Sequence, residues 1–100
     1  MSQVTLLAEF EVKTQDLDLF IAAAKREMQA VGASAAGCLG FEVLLFDEET
    51  GKGAFVEVFK DQAAADAHRE TPHFSAFCFE EIEDIEVPWS VRRGTAVSVN

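Results

Sequence analysis

The sequence has few basic residues, and this shortage limits the partners it can bind. Eight Lys and Arg stand against 18 Asp and Glu, which gives a formal net charge of −10. Such a surface repels nucleic acid and anionic membranes at long range, so neither is expected as a partner. A small anionic substrate is still compatible with this charge. The basic side chains available for a local positive site are Lys60, Arg69, Arg92 and Arg93.

Long apolar runs and paired cysteine motifs are also missing. No run approaches the roughly 20 apolar residues of a membrane-spanning helix, and the N-terminus lacks the basic start of a signal peptide. We therefore expect a soluble, cytoplasmic protein. The two cysteines, Cys38 and Cys78, form no CxxC motif and lie among apolar neighbours, so we expect both to be reduced and structural.

Signatures of metal, phosphate and nucleophile chemistry are absent as well. The two histidines are too few and wrongly spaced for a zinc site, so no metal is expected. The sequence has no glycine-rich phosphate loop and no Ser or Thr nucleophile motif.

Hydrophobic residues are what the sequence has in plenty. They make up 49% of the 100 residues and include nine Phe but no Tyr, which is enough for a core and argues against disorder. The length suits a single domain over residues 1–100. A domain of this size buries only about 60–65% of its unfolded surface, so a subunit interface would add stability.

Hydrophobic periodicity predicts the first half of the chain. Alternation over residues 4–12 predicts a strand. Thr14 or Asp16 is expected to cap an amphipathic helix that ends at Gly32, before a connection of small residues over 33–40.

The second half begins with a predicted hairpin and ends with a predicted strand. The hairpin strands cover residues 41–46 and 54–60, around a turn at 50–53. The elements that follow are a helix over 62–69 capped by Asp61, a helix that restarts at Thr71-Pro72 and continues to Ile82, and a strand over 85–99 interrupted by Pro88 and Gly94.

This order is β-α-β-β-α-β, which is typical of the ferredoxin-like α+β fold with an antiparallel sheet. Helices would cover one face of that sheet. The strand over 41–46 nevertheless carries apolar side chains on both faces, because Phe41, Val43 and Leu45 alternate with Leu44 and Phe46. The open face therefore needs a cover, and a second copy of the chain would provide it in a homodimer.

Two stretches carry a specific resemblance to a known family. Residues 37–44, Gly-Cys-Leu-Gly-Phe-Glu-Val-Leu, are similar to the strand entry "PGCLGYEVL" of the antibiotic biosynthesis monooxygenase family. Residues 55–74 resemble its signature "E-W-x-D-x-A-A-x-x-x-H-x-x-T-P-H-F", most closely in the segment His68-Arg-Glu-Thr-Pro-His-Phe74. The resemblance covers nearly the whole chain.

The resemblance implies a dimeric α/β barrel with a pocket between sheet and helices in each subunit. Members of the family include cofactor-free oxygenases of quinols and polyketide phenols, haem-degrading enzymes and isomerases of a phosphorylated autoinducer, and many have no known activity. Phe59 replaces the frequent family Trp and cannot donate an indole N–H. Thr5-Leu6-Leu7-Ala8-Glu9 lacks the Asn of the haem-degrading branch, whereas Lys60 and Arg92-Arg93 resemble the isomerase branch.

Three residues are candidates for acid–base catalysis: His68, Glu57 and His73. Histidine titrates near neutrality and moves protons in either direction, although either ring could instead brace the corner at Thr71-Pro72. Glu57 shares a strand face with Phe55 and Phe59, and a carboxylate among aromatic rings tends to have a raised pKa. Glu42 is a weaker candidate of the same kind.

Several further residues are predicted to bind the substrate. Aromatic side chains expected to line the pocket, or simply to fill the core, are Phe41, Phe59, Phe74, Phe77 and Trp89, and the basic side chains expected near an anionic group are Lys60 and Arg92. His68 or Glu57 would remove a proton from a small phenol, quinol or enolisable carbonyl compound.

Three functions remain open at this point. The anion formed by proton removal could react with O₂ without any cofactor, which would make the protein a monooxygenase. Reprotonation elsewhere would make it an isomerase. The third alternative is a non-catalytic dimeric module that binds a small ligand.

Overall fold

The computed structural model describes residues 3–34, 37–95 and 97, without the side chains of 33, 34 and 79. Its strands are β1 (Val4–Glu11), β2 (Cys38–Asp47), β3 (Lys52–Phe59) and β4 (Trp89–Thr95), and its helices are α1 (Thr14–Ser34), α2 (Gln62–Arg69) and α3 (Pro72–Ala76), with a π-helical turn over Phe77–Glu81. The predicted ferredoxin-like α+β fold is confirmed. None of the helices in the described ranges is long and apolar enough to cross a bilayer.

The four strands lie in the order β2-β3-β1-β4, and each neighbouring pair is antiparallel. Alternation along β1 turns Val4, Leu6, Ala8 and Phe10 toward the helices, and all four are buried. The register places Glu57 of β3 directly beside Leu6. The Glu57 carboxylate therefore lies in the middle of β3, on an otherwise apolar face of the sheet.

The core lies between this sheet face and α1. Phe20 of α1 is fully buried, and its ring packs on those of Phe10, Phe55 and Phe77 at centroid distances of 4.7 to 6.2 Å. Tilted and edge-on aromatic pairs of this kind add to the stability gained from burial alone. The Phe-rich composition therefore forms one aromatic cluster around α1.

The first helix and second strand both extend beyond their predicted limits. We predicted that Gly32 ends α1, but the helix continues through it to Ser34. A single exposed glycine costs only about 1 kcal/mol inside a helix, so it does not end one by itself. Strand β2 begins at Cys38 rather than Phe41, after Gly37 with φ +91°. The backbone N–H of Lys60 donates to the Gly37 carbonyl at 2.8 Å and holds this entry in place.

The last predicted helix and strand are both shorter than expected. After α3 the helix widens into the π-helical turn, where the Ile82 N–H donates to the Phe77 carbonyl at 3.2 Å. Strand β4 begins at Trp89, because Ile85 closes a turn onto Ile82 instead of pairing with β1. Pro88 thus precedes an edge strand, as its missing N–H requires. The predicted end at Val99 lies outside the described residues.

The β2–β3 turn offers a direct test of the backbone geometry. Gly51 has φ +69°, and a Cβ there would lie 1.8 Å from the Val12 carbonyl oxygen. We expect Gly51→Ala to lower the free energy of unfolding by more than about 1–3 kcal/mol, since the strained backbone alone costs that much. Urea denaturation measures this change. Gly32→Ala is the control, because nothing lies within 4 Å of its Cβ position, and it should not destabilise. Equal stability of the two variants would contradict the prediction.

The sheet face opposite the helices, here called the outer face, is partly apolar and has no helix on it. The register places Leu7 opposite Val56 and Leu44 opposite Ala54 on this face, with Val58 further along β3. Leu44 is exposed, and Leu7, Val56 and Val58 are half-buried. The predicted pattern of apolar groups on both sides of β2 is therefore present.

Candidate active site

A cavity of about 410 Å³ lies between the helix-facing side of the sheet and the α2–α3 corner. Its walls are mainly aromatic and aliphatic, and they include two carboxylates, one imidazole and one guanidinium. The lining residues are Leu6, Ala8, Glu27, Phe41, Phe55, Glu57, His68, Arg69, Phe74, Phe77, Cys78, Trp89 and Val91. Few polar groups in an apolar pocket of this size are typical of a small-molecule site.

Glu57 is placed in the cavity by the register of the sheet. It lies opposite Leu6 of β1 and Phe41 of β2, and its side chain is 11% exposed. Burial, and then the charge of Glu27, raise its pKa to about 7, whereas Arg69 acts in the opposite direction. A carboxyl group with this pKa exchanges a proton readily near neutral pH.

His68 enters the cavity from α2. The Asp61 side chain accepts the Ala64 N–H at 2.9 Å and fixes the start of this helix, so that Ala65 and His68 fall on its buried face. The His68 Nε2 atom lies 3.6 Å from Glu27 Oε2 and 3.6 Å from Glu57 Oε1. Burial, followed by the nearby positive charges of His73 and Arg69, lowers the His68 pKa to about 4, so the ring is neutral at physiological pH.

Glu27 is the functional candidate that sequence reasoning missed. The helix pattern suggested a solvent-facing position, but the Glu27 side chain is only 2% exposed and lies between His68 and His73. A signal for this existed. Glu27 follows Phe20, Ala23 and Ala24 at helical spacing and precedes Val31, and all four of these are buried. A carboxylate on the buried stripe of a helix should have marked it as a site residue.

His73 joins the cluster because of the break between α2 and α3. The Thr71 side chain accepts the Phe74 N–H, and Pro72 occupies the first helical position, so the chain turns sharply there. The His73 Nδ1 atom lies 2.7 Å from Glu27 Oε1. Both histidine rings therefore face Glu27, although the chain turns between them.

The predicted aromatic residues divide into two groups. Phe41, Phe74, Phe77 and Trp89 line the cavity, as predicted. Phe59 does not line it. Its ring is almost fully buried and packs against the His68 imidazole at a centroid distance of 5.6 Å. Phe59 therefore helps to hold the imidazole in position. A direct substrate contact by Phe59 is therefore not supported by its position.

The basic residues predicted for an anionic substrate lie elsewhere. Arg92 lies on the outer face, where its Nη2 donates to Glu9 Oε2 at 3.3 Å, and Lys60 is exposed beside Gly37. Neither residue lines the cavity. Arg69, the last residue of α2, is the basic side chain found among the described lining residues. The weaker candidate Glu42 is exposed on the outer face, opposite Val56.

Side chains of the types that bind metal ions occur in the two cysteines and in the acid–base cluster, which is formed by Glu27, Glu57, His68 and His73. Cys38 and Cys78 are both free and half-buried, and burial raises the pKa of each thiol. In the described part of the chain, no three His, Cys, Asp or Glu side chains are arranged to bind a metal ion.

The chain has a ferredoxin-like fold with a cavity between its sheet and helices, and comparison with known proteins gives the family. The sequence model of the family described as "Antibiotic biosynthesis monooxygenase" matches residues 3–78. The chain belongs to the antibiotic biosynthesis monooxygenase family. No curated protein matches the sequence.

Solved structures share the fold over nearly their entire length. A candidate antibiotic biosynthesis monooxygenase from Caulobacter crescentus has 18% identity and a TM-score of 0.88, over 97% of this chain and 92% of that chain. A second candidate, from Nitrosomonas europaea, has 18% identity and a TM-score of 0.86, over 98% and 93%. A conserved protein from Methanosarcina mazei has 19% identity and a TM-score of 0.82, over 94% and 92%.

Proposed function

We propose that the chain is a cofactor-independent, monooxygenase-like enzyme that acts on a small phenol or quinol. The observation that carries this proposal is a buried carboxyl group with a pKa of about 7, Glu57, in an aromatic-walled cavity beside a neutral imidazole, His68. Membership of the antibiotic biosynthesis monooxygenase family supports a monooxygenase-like role.

Glu57 is the stronger candidate for the proton acceptor. A base is effective when its pKa lies near the working pH, and Glu57 meets this condition at about 7 while His68, at about 4, does not. In this proposal Glu57 takes the hydroxyl proton of the substrate. His68 positions the Glu57 carboxylate next to the substrate. The rings of Phe55 and Trp89 are stacked with their centroids 5.8 Å apart, and they provide a surface on which an aromatic substrate can pack.

The proposed reaction balances without an external reductant. Removing the phenol proton gives an electron-rich phenolate, whose ring carbon forms a C–O bond with O₂. Loss of the ring hydrogen and cleavage of the O–O bond then give a quinone and water, so one phenol and one O₂ yield one quinone and one H₂O. The substrate supplies all the electrons that reduce O₂. Of these steps, proton removal is the one to which a residue of the cavity, Glu57, is assigned.

The isomerase alternative has less support than it had from the sequence. It was attractive because Lys60 and Arg92 were expected to bind a phosphorylated substrate, and neither lines the cavity. Arg69 is the one cation among the described lining residues, and the other walls are apolar or acidic apart from the neutral imidazole of His68. Two carboxylates beside the site would repel a multiply charged phosphate, so a neutral phenol fits the cavity better.

The decisive experiment is oxygen consumption against a panel of quinols and phenols. We expect one O₂ consumed and one quinone formed per substrate, with no hydrogen peroxide released. An oxygen electrode with catalase added, together with chromatography of the products, measures this ratio. Simple autoxidation, run without protein, is the control. Turnover without O₂ would favour isomerisation, and no turnover of any compound would favour the ligand-binding module.

We also propose that two copies of the chain pair through their outer faces. An unpaired apolar face with Leu44 exposed, in a chain of only 100 residues, gains stability if a second copy covers it. The cavity lies on the opposite side of the sheet, so this pairing leaves its lining intact. The assembly is tested in the Discussion.

A further inference from the structure

Glu27 links the cavity to the protein surface. Its two carboxylate oxygens face different rings, with Oε2 lying 3.6 Å from His68 Nε2 and Oε1 lying 2.7 Å from His73 Nδ1. The side chains of Glu27 and His68 are 2% and 3% exposed, whereas that of His73 is 20% exposed. Along this line of groups, exposure to solvent therefore begins at His73.

We propose that Glu27 and His73 form a proton relay that carries the proton taken by Glu57 out to solvent. This inference rests on the proposed function. His68 Nε2, at 3.6 Å from both carboxylates, accepts the proton from Glu57 and passes it to Glu27. Glu27 transfers it to His73, which releases a proton to water. Only protons move along this path, and the electrons remain with the substrate and O₂. Cleavage of the O–O bond then releases hydroxide, which combines in solvent with the exported proton to give the one H₂O of the balanced reaction.

The cavity needs such an exit because a bound substrate fills its opening. An aromatic ring between Phe41, Phe55 and Trp89 would exclude water from the cavity side of Glu57. A base that keeps its proton is inactive in the next turnover, and a second route for the proton frees Glu57 before the cavity reopens. Glu27 provides that route, since it approaches His68 from α1 rather than from the cavity opening.

The distances suit transfer that is gated by small side-chain motions. The contact between Glu27 and His73 is already a short hydrogen bond. The two 3.6 Å gaps around His68 Nε2 must shorten by about 0.6 Å to reach ordinary hydrogen-bond length. Two buried atoms, Glu27 Oε2 and His68 Nδ1, have no hydrogen-bond partner among the described residues, so neither is locked in a competing contact.

The groups that surround this path come from five elements. They are Glu27 of α1, Glu57 of β3, His68 and Arg69 of α2, His73 of α3 and Cys78 of the π-helical turn. Arg69 is the fixed positive charge among them. It favours the carboxylate form of Glu57 after the proton has left.

The first test replaces His73 with a residue that keeps its contact but cannot carry a proton. His73→Asn can still donate to Glu27 Oε1, so we expect a folded variant with unchanged KM and a kcat lowered about 10-fold, below the ~10²–10⁴ of a direct acid–base group. Added imidazole should restore kcat. Ser75→Ala, exposed on the same helix, is the control and should behave as wild type. An unchanged kcat in His73→Asn, or a loss that imidazole does not restore, overturns the relay.

The second test needs no substrate and so separates this inference from the proposed function. In protein labelled with ¹³C-glutamate, the Glu57 carboxyl signal is followed across pH. We expect the Glu57 titration curve to change in His73→Asn, because this substitution removes the group that exchanges protons with Glu27. Identical curves in both proteins overturn the relay. If no compound is turned over, the proposed function fails while this titration still decides whether the proton link exists.

Discussion

Glu57→Gln should reduce kcat/KM for the active phenol by about 10²–10⁴-fold, the usual contribution of a positioned acid–base group. The amide keeps the shape and burial of the carboxyl group but cannot take a proton at neutral pH. Oxygen uptake under saturating O₂ measures the loss. Glu42→Gln is the matched control, because Glu42 lies on the neighbouring strand with its side chain exposed on the outer face. A Glu57→Gln enzyme with more than a tenth of wild-type activity would contradict the proposal.

The pH profile of wild type provides a second readout of the same prediction. A base must be deprotonated to act, so kcat/KM should rise with pH through about 7, the pKa of Glu57, and then level off. His68 stays neutral across this range because its pKa is about 4, so it should cause no second change of kcat/KM with pH. In Glu57→Gln the remaining kcat/KM should no longer rise with pH around 7. A profile that falls as pH rises through 7 would instead indicate that a protonated group is required.

Leu44→Asp should separate the proposed dimer into monomers. In a twofold-symmetric interface each substitution occurs twice, and a charge buried among apolar side chains costs several kcal/mol. We expect the dissociation constant to rise at least about 10³-fold, which corresponds to about 4 kcal/mol. Analytical ultracentrifugation at micromolar concentration measures it.

The control for this variant is Leu19→Asp. Leu19 is an exposed leucine on α1, 57% accessible, and it lies on the helical layer rather than on the outer face. It introduces the same charge without touching the proposed interface, so Leu19→Asp should remain dimeric. Wild-type protein that sediments as a monomer would refute the assembly directly. Dissociation of both variants would show that added negative charge, and not the outer face, is responsible.

The fold was predictable because its main signals are local. Period-two alternation identified β1, and the caps at Asp61 and Thr71 placed the starts of α2 and α3 correctly. The errors occurred where a local signal met a tertiary constraint. Gly32 looks like a helix end in isolation, yet α1 continues through it to Ser34. The stretch from Ile85 to Pro88 looks like strand, yet Ile85 is drawn into the core instead.

The site was predictable only in part, because its assembly depends on distances between elements. Glu57 and His68 could be named as candidates from residue type and neighbours alone. Glu27 could not be paired with them, since no sequence pattern shows that α1 packs over β2 with this carboxylate turned toward His68. Arg92 was misplaced for a related reason. Its position on the outer face follows from the register of β4 on β1, which sets Arg92 opposite Leu7 and Arg93 opposite Leu6.

The position of Trp89 gives the protein a built-in optical reporter. It is the single tryptophan in a chain without tyrosine, and it stands in the cavity wall with its ring stacked on Phe55. Indole emission from this protein therefore comes from one known place, about 41% exposed. An aromatic compound that enters the cavity would displace water from the indole of Trp89 and change the wavelength and intensity of its fluorescence. Binding to the cavity can therefore be followed without any added label.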